Sequence, residues 1–104
     1  MRVLLSLGLS LLCSASALAQ EAHAARALAA TCATCHGTEG RARGPAMAPL
    51  AGRPVQALEA ALLDYRRGAR PGTVMPQITQ GYTEAQLLLV AAYFAALPAA
   101  PGRP

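Results

Sequence analysis

The sequence predicts a small all-α domain, and three observations underlie that prediction. Apolar residues recur at helical spacing in three segments, 22–35, 55–67 and 84–97. No run alternates apolar and polar residues as a half-buried strand would. The segments are separated by "GTEGRARGPAMAPLAGRP" and "GARPGTVMPQITQGY", glycine- and proline-rich breaks that are long for so short a chain.

Ahead of the first helix the chain reads as an export signal. Met1 and Arg2 give a short positive start, "VLLSLGLSLL" an apolar stretch, and "SASALAQ" a small-residue exit with Ala17 and Ala19 at the A-x-A positions. Residues 1–19 are therefore expected to be a cleaved secretory signal peptide, 20–98 the folded domain and 99–104 a disordered tail. The apolar stretch falls short of the ~20 residues of a spanning helix, so no membrane span is expected after cleavage. Cys13 follows Leu12 rather than a small residue, which argues against a lipid-modified start, and it leaves with the signal. Removing 19 of 104 residues leaves 85, with Cys32 and Cys35 as the remaining cysteines. A domain of that size has a thin core and needs a cofactor, a metal or disulfides. Export implies an oxidising compartment, the periplasm, where a close thiol pair becomes a disulfide unless it is otherwise used.

The helices follow in order. The first is alanine-rich and carries Cys32, Cys35 and His36 at its C-terminal end. The second places Val55, Leu58, Leu62 and Tyr65 on one side and stops at Gly68. The third opens on "TEAQ", where Thr83 caps and Gln86 reaches back in a capping box. Its stripe of Leu87, Val90, Ala91 and Phe94 faces a core, and Pro98 ends it.

The stretch "CATCHG" carries the chemistry. C-x-x-C-H puts two thiols and an imidazole within one helical turn, so all three can address one flat object lying against that face. Two thiols adding to the two vinyl groups of a haem, with the adjacent histidine as axial iron ligand, is what this spacing serves. A thioredoxin-like dithiol belongs on a strand-to-helix junction that this chain lacks. A structural zinc site wants a second ligand pair, which His23 alone cannot supply. Cys32 and Cys35 are thus the expected covalent anchors of one haem c, and His36 an axial ligand.

The second axial position decides between electron transfer and small-molecule binding. Its candidates are Met75, Met47 and His23. Met75 is favoured: "RPGTVMPQI" fixes it in a loop after the second helix, from which the chain can cross to the far side of the haem. Met47 lies eleven residues after His36 and reads as a packing residue, and His23 as a solvent-facing one. His/Met ligation raises the reduction potential and closes the iron to outside ligands, and an open iron is the remaining alternative.

With "CATCHG", "GPAMAPLAG" and "TVMPQITQGYTEAQLLLVAAYFAALP", nearly the whole mature sequence resembles a single-haem class I cytochrome c. The resemblance implies that family's fold, three main helices and long loops wrapped around one covalent haem. It implies that Pro45, in "RGP", accepts a hydrogen bond from His36 through its carbonyl. It also implies that the first and last helices cross, with Tyr93 near the contact and Leu28, Ala29 and Ala30 as the partner surface. More narrowly, "RRGARPGTVMPQITQGYTEAQLLLVAAYFA" resembles the cytochrome subunit of flavocytochrome c sulfide dehydrogenases, in which an FAD flavoprotein subunit oxidises sulfide and passes electrons to the cytochrome. Glutamine follows "MP" where a glycine after the methionine is expected, which leaves the subfamily open.

Charge is consistent with a protein partner. Without the leader, eight of the nine arginines face five acids, an excess too weak and scattered for nucleic acid but compatible with an acidic protein surface. Arg41, Arg43, Arg66, Arg67 and Arg70 flank the two loops expected to frame the haem edge. Two functions compete: the haem subunit of a periplasmic oxidoreductase complex, not itself catalytic, and a free-standing diffusible carrier between a dehydrogenase or quinol-oxidising complex and a terminal acceptor.

Overall fold

Alanine has the highest helix propensity, so nothing in the alanine-rich N-terminal sequence obliges a break where the leader is expected to end. The computed structural model of the chain describes residues 2–101, with side chains from residue 15 onward. In it the first helix, α1 (Arg2–Ala30), runs without interruption through both regions. It is followed by α2 (Ala33–His36), a 3₁₀ turn (Thr38–Gly40), α3 (Val55–Arg66), α4 (Met75–Gln80) and α5 (Glu84–Ala96), with no strand among the described residues. No helix of the described residues is long and apolar enough to cross a membrane. Side chains 15–24 are all exposed, and burial in α1 begins at Ala25.

The expected single helix over 22–35 is divided at Thr31 and Cys32. There the backbone tightens to a bond from Cys32 N to Ala29 O of 3.1 Å, and Thr31 Oγ1 turns back to the Leu28 carbonyl at 3.0 Å. A hydroxyl that bonds back to its own helix competes with the backbone ladder, which accounts for the joint. The second expected helix appears as α3, ending one residue early with Arg67 as C-cap. The third appears as α5 with its capping box intact: Gln86 N donates to Thr83 Oγ1 at 3.1 Å and Thr83 N to Gln86 Oε1 at 2.9 Å.

The helix α4 departs from the expected loop. Its proline, Pro76, sits in the first turn, where a missing N–H costs no helical bond. Thr79 then locks it: the side chain is fully buried and its hydroxyl lies 2.9 Å from the Met75 carbonyl and 3.3 Å from that of Pro76.

The core forms where α1 and α3 pack on α5. Ala29, Leu58, Val90, Ala91 and Phe94 make one buried cluster, with Leu28, Leu50, Val55 and Leu62 against it. Small residues on α1, Ala25 and Ala29, let α5 approach closely. Phe94 is fully buried, and Tyr93, packed against the same cluster as Leu28, meets it edge-on with ring centroids 5.3 Å apart. Burial follows the Leu87–Val90–Ala91–Phe94 stripe, and Tyr93 lies one residue off that line.

The segment after the 3₁₀ turn is threaded through this core. Leu50 N and Ala51 N both donate to the Gly40 carbonyl, at 2.8 and 3.2 Å, and Gly52 N donates to the Phe94 carbonyl at 2.9 Å. Of the tail expected at 99–104, Ala99 rests against Gly52, Pro101 is exposed, and 102–104 lie outside the described residues. Gly40 has no room for a side chain. It has φ +70°, and a Cβ there would meet the Phe94 ring at 2.8 Å and Leu50 Cβ at 2.9 Å. Gly40→Ala is expected to lower the unfolding free energy by about 3 kcal/mol, combining a left-handed backbone with overpacking. Guanidinium unfolding of the purified protein measures it, and a change below about 1 kcal/mol would contradict the placement.

Candidate functional site

The single turn of α2 presents the C-x-x-C-H residues. His36 N bonds to the Cys32 carbonyl at 2.8 Å and Cys35 N to the same oxygen at 3.3 Å, so the helical spacing that brings both sulfurs to one side is formed. The two cysteines form no disulfide with one another; Cys32 is half-buried against the core and Cys35 is exposed. Burial pushes the Cys32 thiol above its ordinary range, with hydrogen bonding from Thr31 and the backbone working against the shift.

His36 is half-buried, and its Nδ1 lies 2.7 Å from the Ala48 carbonyl oxygen. A carbonyl only accepts, so Nδ1 carries the proton and Nε2 keeps a lone pair for a metal. The partner is Ala48, not the expected Pro45. Pro45 is an exposed residue of a bend, and the chain returns to the imidazole only at Ala48. The bonds of Leu50 and Ala51 to Gly40 fix that return. Pro49 follows Ala48 and biases it toward an extended backbone.

Gly37 lets the chain leave α2 at once. It has φ +80°, and a Cβ on it would stand 2.5 Å from the Arg41 carbonyl oxygen. Beyond it, Arg41 is pinned to Glu39 at 2.7 Å and to the Pro98 carbonyl at 3.3 Å, which ties the 3₁₀ turn to the end of α5. Arg41 and the exposed Arg43 line a shallow, open pocket with Ala33, Thr34, Cys35, Gly37 and Thr38.

Met75 is half-buried as the first residue of α4. The segment leading to it is anchored by Ala69 N and Arg70 N on the Asp64 carbonyl, at 2.9 and 3.2 Å, and by the Arg70 guanidinium over the Tyr65 ring, 5.1 Å from its centroid. Around Met75, Val74 and Ile78 are 57% and 42% exposed, two large apolar side chains without a protein cover. Met47 is half-buried one residue before Ala48, and His23 is exposed on α1. Sequence reasoning did not reach Tyr82, whose hydroxyl lies 2.6 Å from Thr31 Oγ1; Arg66, expected among the arginines framing the haem edge, has its Nε buried with no acceptor.

These residues fit a haem. Two unpaired thiols stand one turn apart, an imidazole holds Nε2 free, and apolar side chains beside a methionine lack cover. The buried Arg66 Nε lacks an acceptor that a haem carboxylate could provide. Among the described residues no three His, Cys, Asp or Glu side chains converge as the ligands of a bare metal ion would.

Residues 19–94 match the family model described as cytochrome c oxidase, cbb3-type, subunit III, and the chain belongs to that family of c-type cytochromes. It is a single-haem cytochrome c of the small all-α fold, and its cofactor is covalently bound haem c. The chain is 37% identical to the cytochrome subunit of sulfide dehydrogenase from Chlorobaculum tepidum, over 64% of this chain and 60% of that one. It is 34% identical to cytochrome c-554(548) from Halomonas halodenitrificans, over 62% and 81%. With cytochrome c4 from Pseudomonas aeruginosa it shares 36% identity over 89% of this chain and 45% of that protein. The chain thus spans about three fifths of the length of the first relative and under half of the last.

Proposed function

We propose that this protein is an exported one-electron carrier in which Cys32 and Cys35 hold haem c through thioethers, and His36 Nε2 and Met75 are the axial ligands. The observation that carries the proposal is the α2 turn: two cysteines not joined as a disulfide and an imidazole whose Nδ1 is committed to Ala48. Bound there, the haem supplies reversible one-electron chemistry at iron. The chain's own part is to hold its ligands. The Ala48 carbonyl fixes the tautomer and rotation of the His36 ring and increases its electron donation, while the 2.9 Å bond from Thr79 and the packed Tyr65–Arg70 segment hold the start of α4 in place. Val74 and Ile78, exposed in the protein alone, would cover apolar haem surface and keep water from it.

The partner we favour is a flavoprotein that oxidises sulfide, with this chain as the haem subunit that takes its electrons. The likeness to the sulfide dehydrogenase subunit supports this, as does the "TVMPQITQGYTEAQ" stretch. A free-standing periplasmic carrier is the second reading, favoured by the fuller span of cytochrome c-554(548), 81% of which the chain covers. For either partner, the arginines expected to steer docking are narrowed. Arg41 and Arg67 are ion-paired with Glu39 and Asp64, Arg70 lies over Tyr65, and Arg66 has its Nε buried. Arg43, at the rim of the pocket beside Cys35, is exposed without any of these contacts, while Arg67 and Arg70 are exposed as well. The side chains at 15–24, on both sides of the cut expected after residue 19, are all exposed, which supports export by the 1–19 leader by leaving that bond open to a peptidase.

Three outcomes are expected. Met75→Ala abolishes the methionine-to-iron charge-transfer absorption of the ferric protein, whereas Met47→Ala leaves it; the reverse pattern overturns the assignment of Met75. The protein is recovered from the host periplasm and begins at Gln20; recovery in the cytoplasm contradicts the export proposal, and N-terminal sequencing that reads Met1 contradicts the cleavage. The same preparation, fractionated at native size, contains flavin in proportion to haem if a flavoprotein partner is bound, and a small flavin-free monomer favours the diffusible carrier.

A further inference from the structure

Thr31 stands at the joint between α1 and α2, immediately before Cys32, and Tyr82 at the joint between α4 and α5. They are 51 residues apart in sequence, yet their hydroxyls are 2.6 Å apart. The proton in that bond has a definite owner. Thr31 Oγ1 donates its single proton to the Leu28 carbonyl at 3.0 Å, a better acceptor than the neighbouring Cys32 sulfur, so the Tyr82 phenol donates to Thr31. Tyr82 is rigidly continuous with α4: its N–H bonds to the Thr79 carbonyl at 3.2 Å, and that of Gly81 to Ile78 at 3.0 Å. Thr79 in turn is fully buried and bonded to the Met75 carbonyl at 2.9 Å. The helix α4 packs on α3, so this bond is a polar tie from α4 to the segment bearing the two cysteines and His36.

We propose that Tyr82 and Thr31 form a latch that holds α4, and with it Met75, in fixed position relative to the Cys32–His36 turn. Tyr82 touches none of the haem-binding atoms and Thr31 reaches only the neighbouring Cys32 thiol; both are positioning residues. The latch makes the methionine side of the site harder to open, so an outside ligand displaces Met75 less readily than it would from a free α4. This consequence rests on the assignment of Met75 as axial ligand; the latch itself does not.

The test uses the haem-loaded protein with Tyr82→Phe, Thr31→Val, the double variant and Thr31→Ser. Two quantities are read: the imidazole concentration that removes half of the methionine-to-iron absorption, and amide hydrogen exchange at residues 75–80. Loss of one hydrogen bond is expected to lower the imidazole midpoint about fivefold in each of the first two variants and to speed exchange in α4 by a similar factor. The double variant should match the singles, because either change already opens the latch, and Thr31→Ser should behave as the parent. Unchanged exchange and midpoint in Tyr82→Phe overturn the proposal, as do effects that add fully in the double variant. A parent protein without the methionine absorption refutes the Met75 assignment instead, and the exchange measurement then decides the latch by itself.

Discussion

The hydrogen bond between His36 Nδ1 and the Ala48 carbonyl organises the site. It joins the two ends of the 37–47 loop, so the path of that loop is set by where the imidazole must be held. Each special backbone feature nearby serves the same closure. Gly37 turns the chain out of α2, Glu39 accepts a left-handed φ of +52°, and Gly40 passes so close to Phe94 and Leu50 that only hydrogen fits. The loop then returns as Ala48, Pro49 and Leu50, anchored by two backbone bonds to Gly40. A ring held this way offers one nitrogen, Nε2, in one orientation, which is the requirement for an axial ligand.

A second constraint is the thinness of the core. Of the nine buried hydrophobic residues among those described, five are alanines, and Leu58, Leu87, Val90 and Phe94 supply most of the volume. Apolar surface that a larger domain would bury stays at the surface here, as Val74 and Ile78 next to Met75. A flat apolar cofactor covalently tied to the chain answers both facts, since it adds core area without adding residues. Haem c, the cofactor of this family, is such a group.

Much of this was legible in the sequence where a local signal and a tertiary demand coincide. The C-x-x-C-H spacing, the Thr83–Gln86 capping box and the stripe on α5 each follow from contacts within about four residues, and each forms as read. Errors arose where distance decides. Pro45 and Pro49 both follow the haem motif, and only the closure of the loop selects the carbonyl before the second. The segment around Met75 read as a loop, yet Pro76 is tolerated in the first turn of α4, and the buried Thr79 that locks that helix carries no periodic signal. The Tyr82–Thr31 bond spans 51 residues and leaves no local trace at all.

The most direct test of the account is the mass of one peptide. Trypsin cuts after Arg26 and Arg41, so a single fragment, 27–41, contains Cys32, Cys35 and His36 and neither methionine. Taken from protein made in its own exporting host, that fragment should carry the mass of one whole haem, with neither thiol open to alkylation. A fragment of unmodified mass, with its cysteines free or joined as a disulfide, would contradict the attachment on which the site and its proposed chemistry depend.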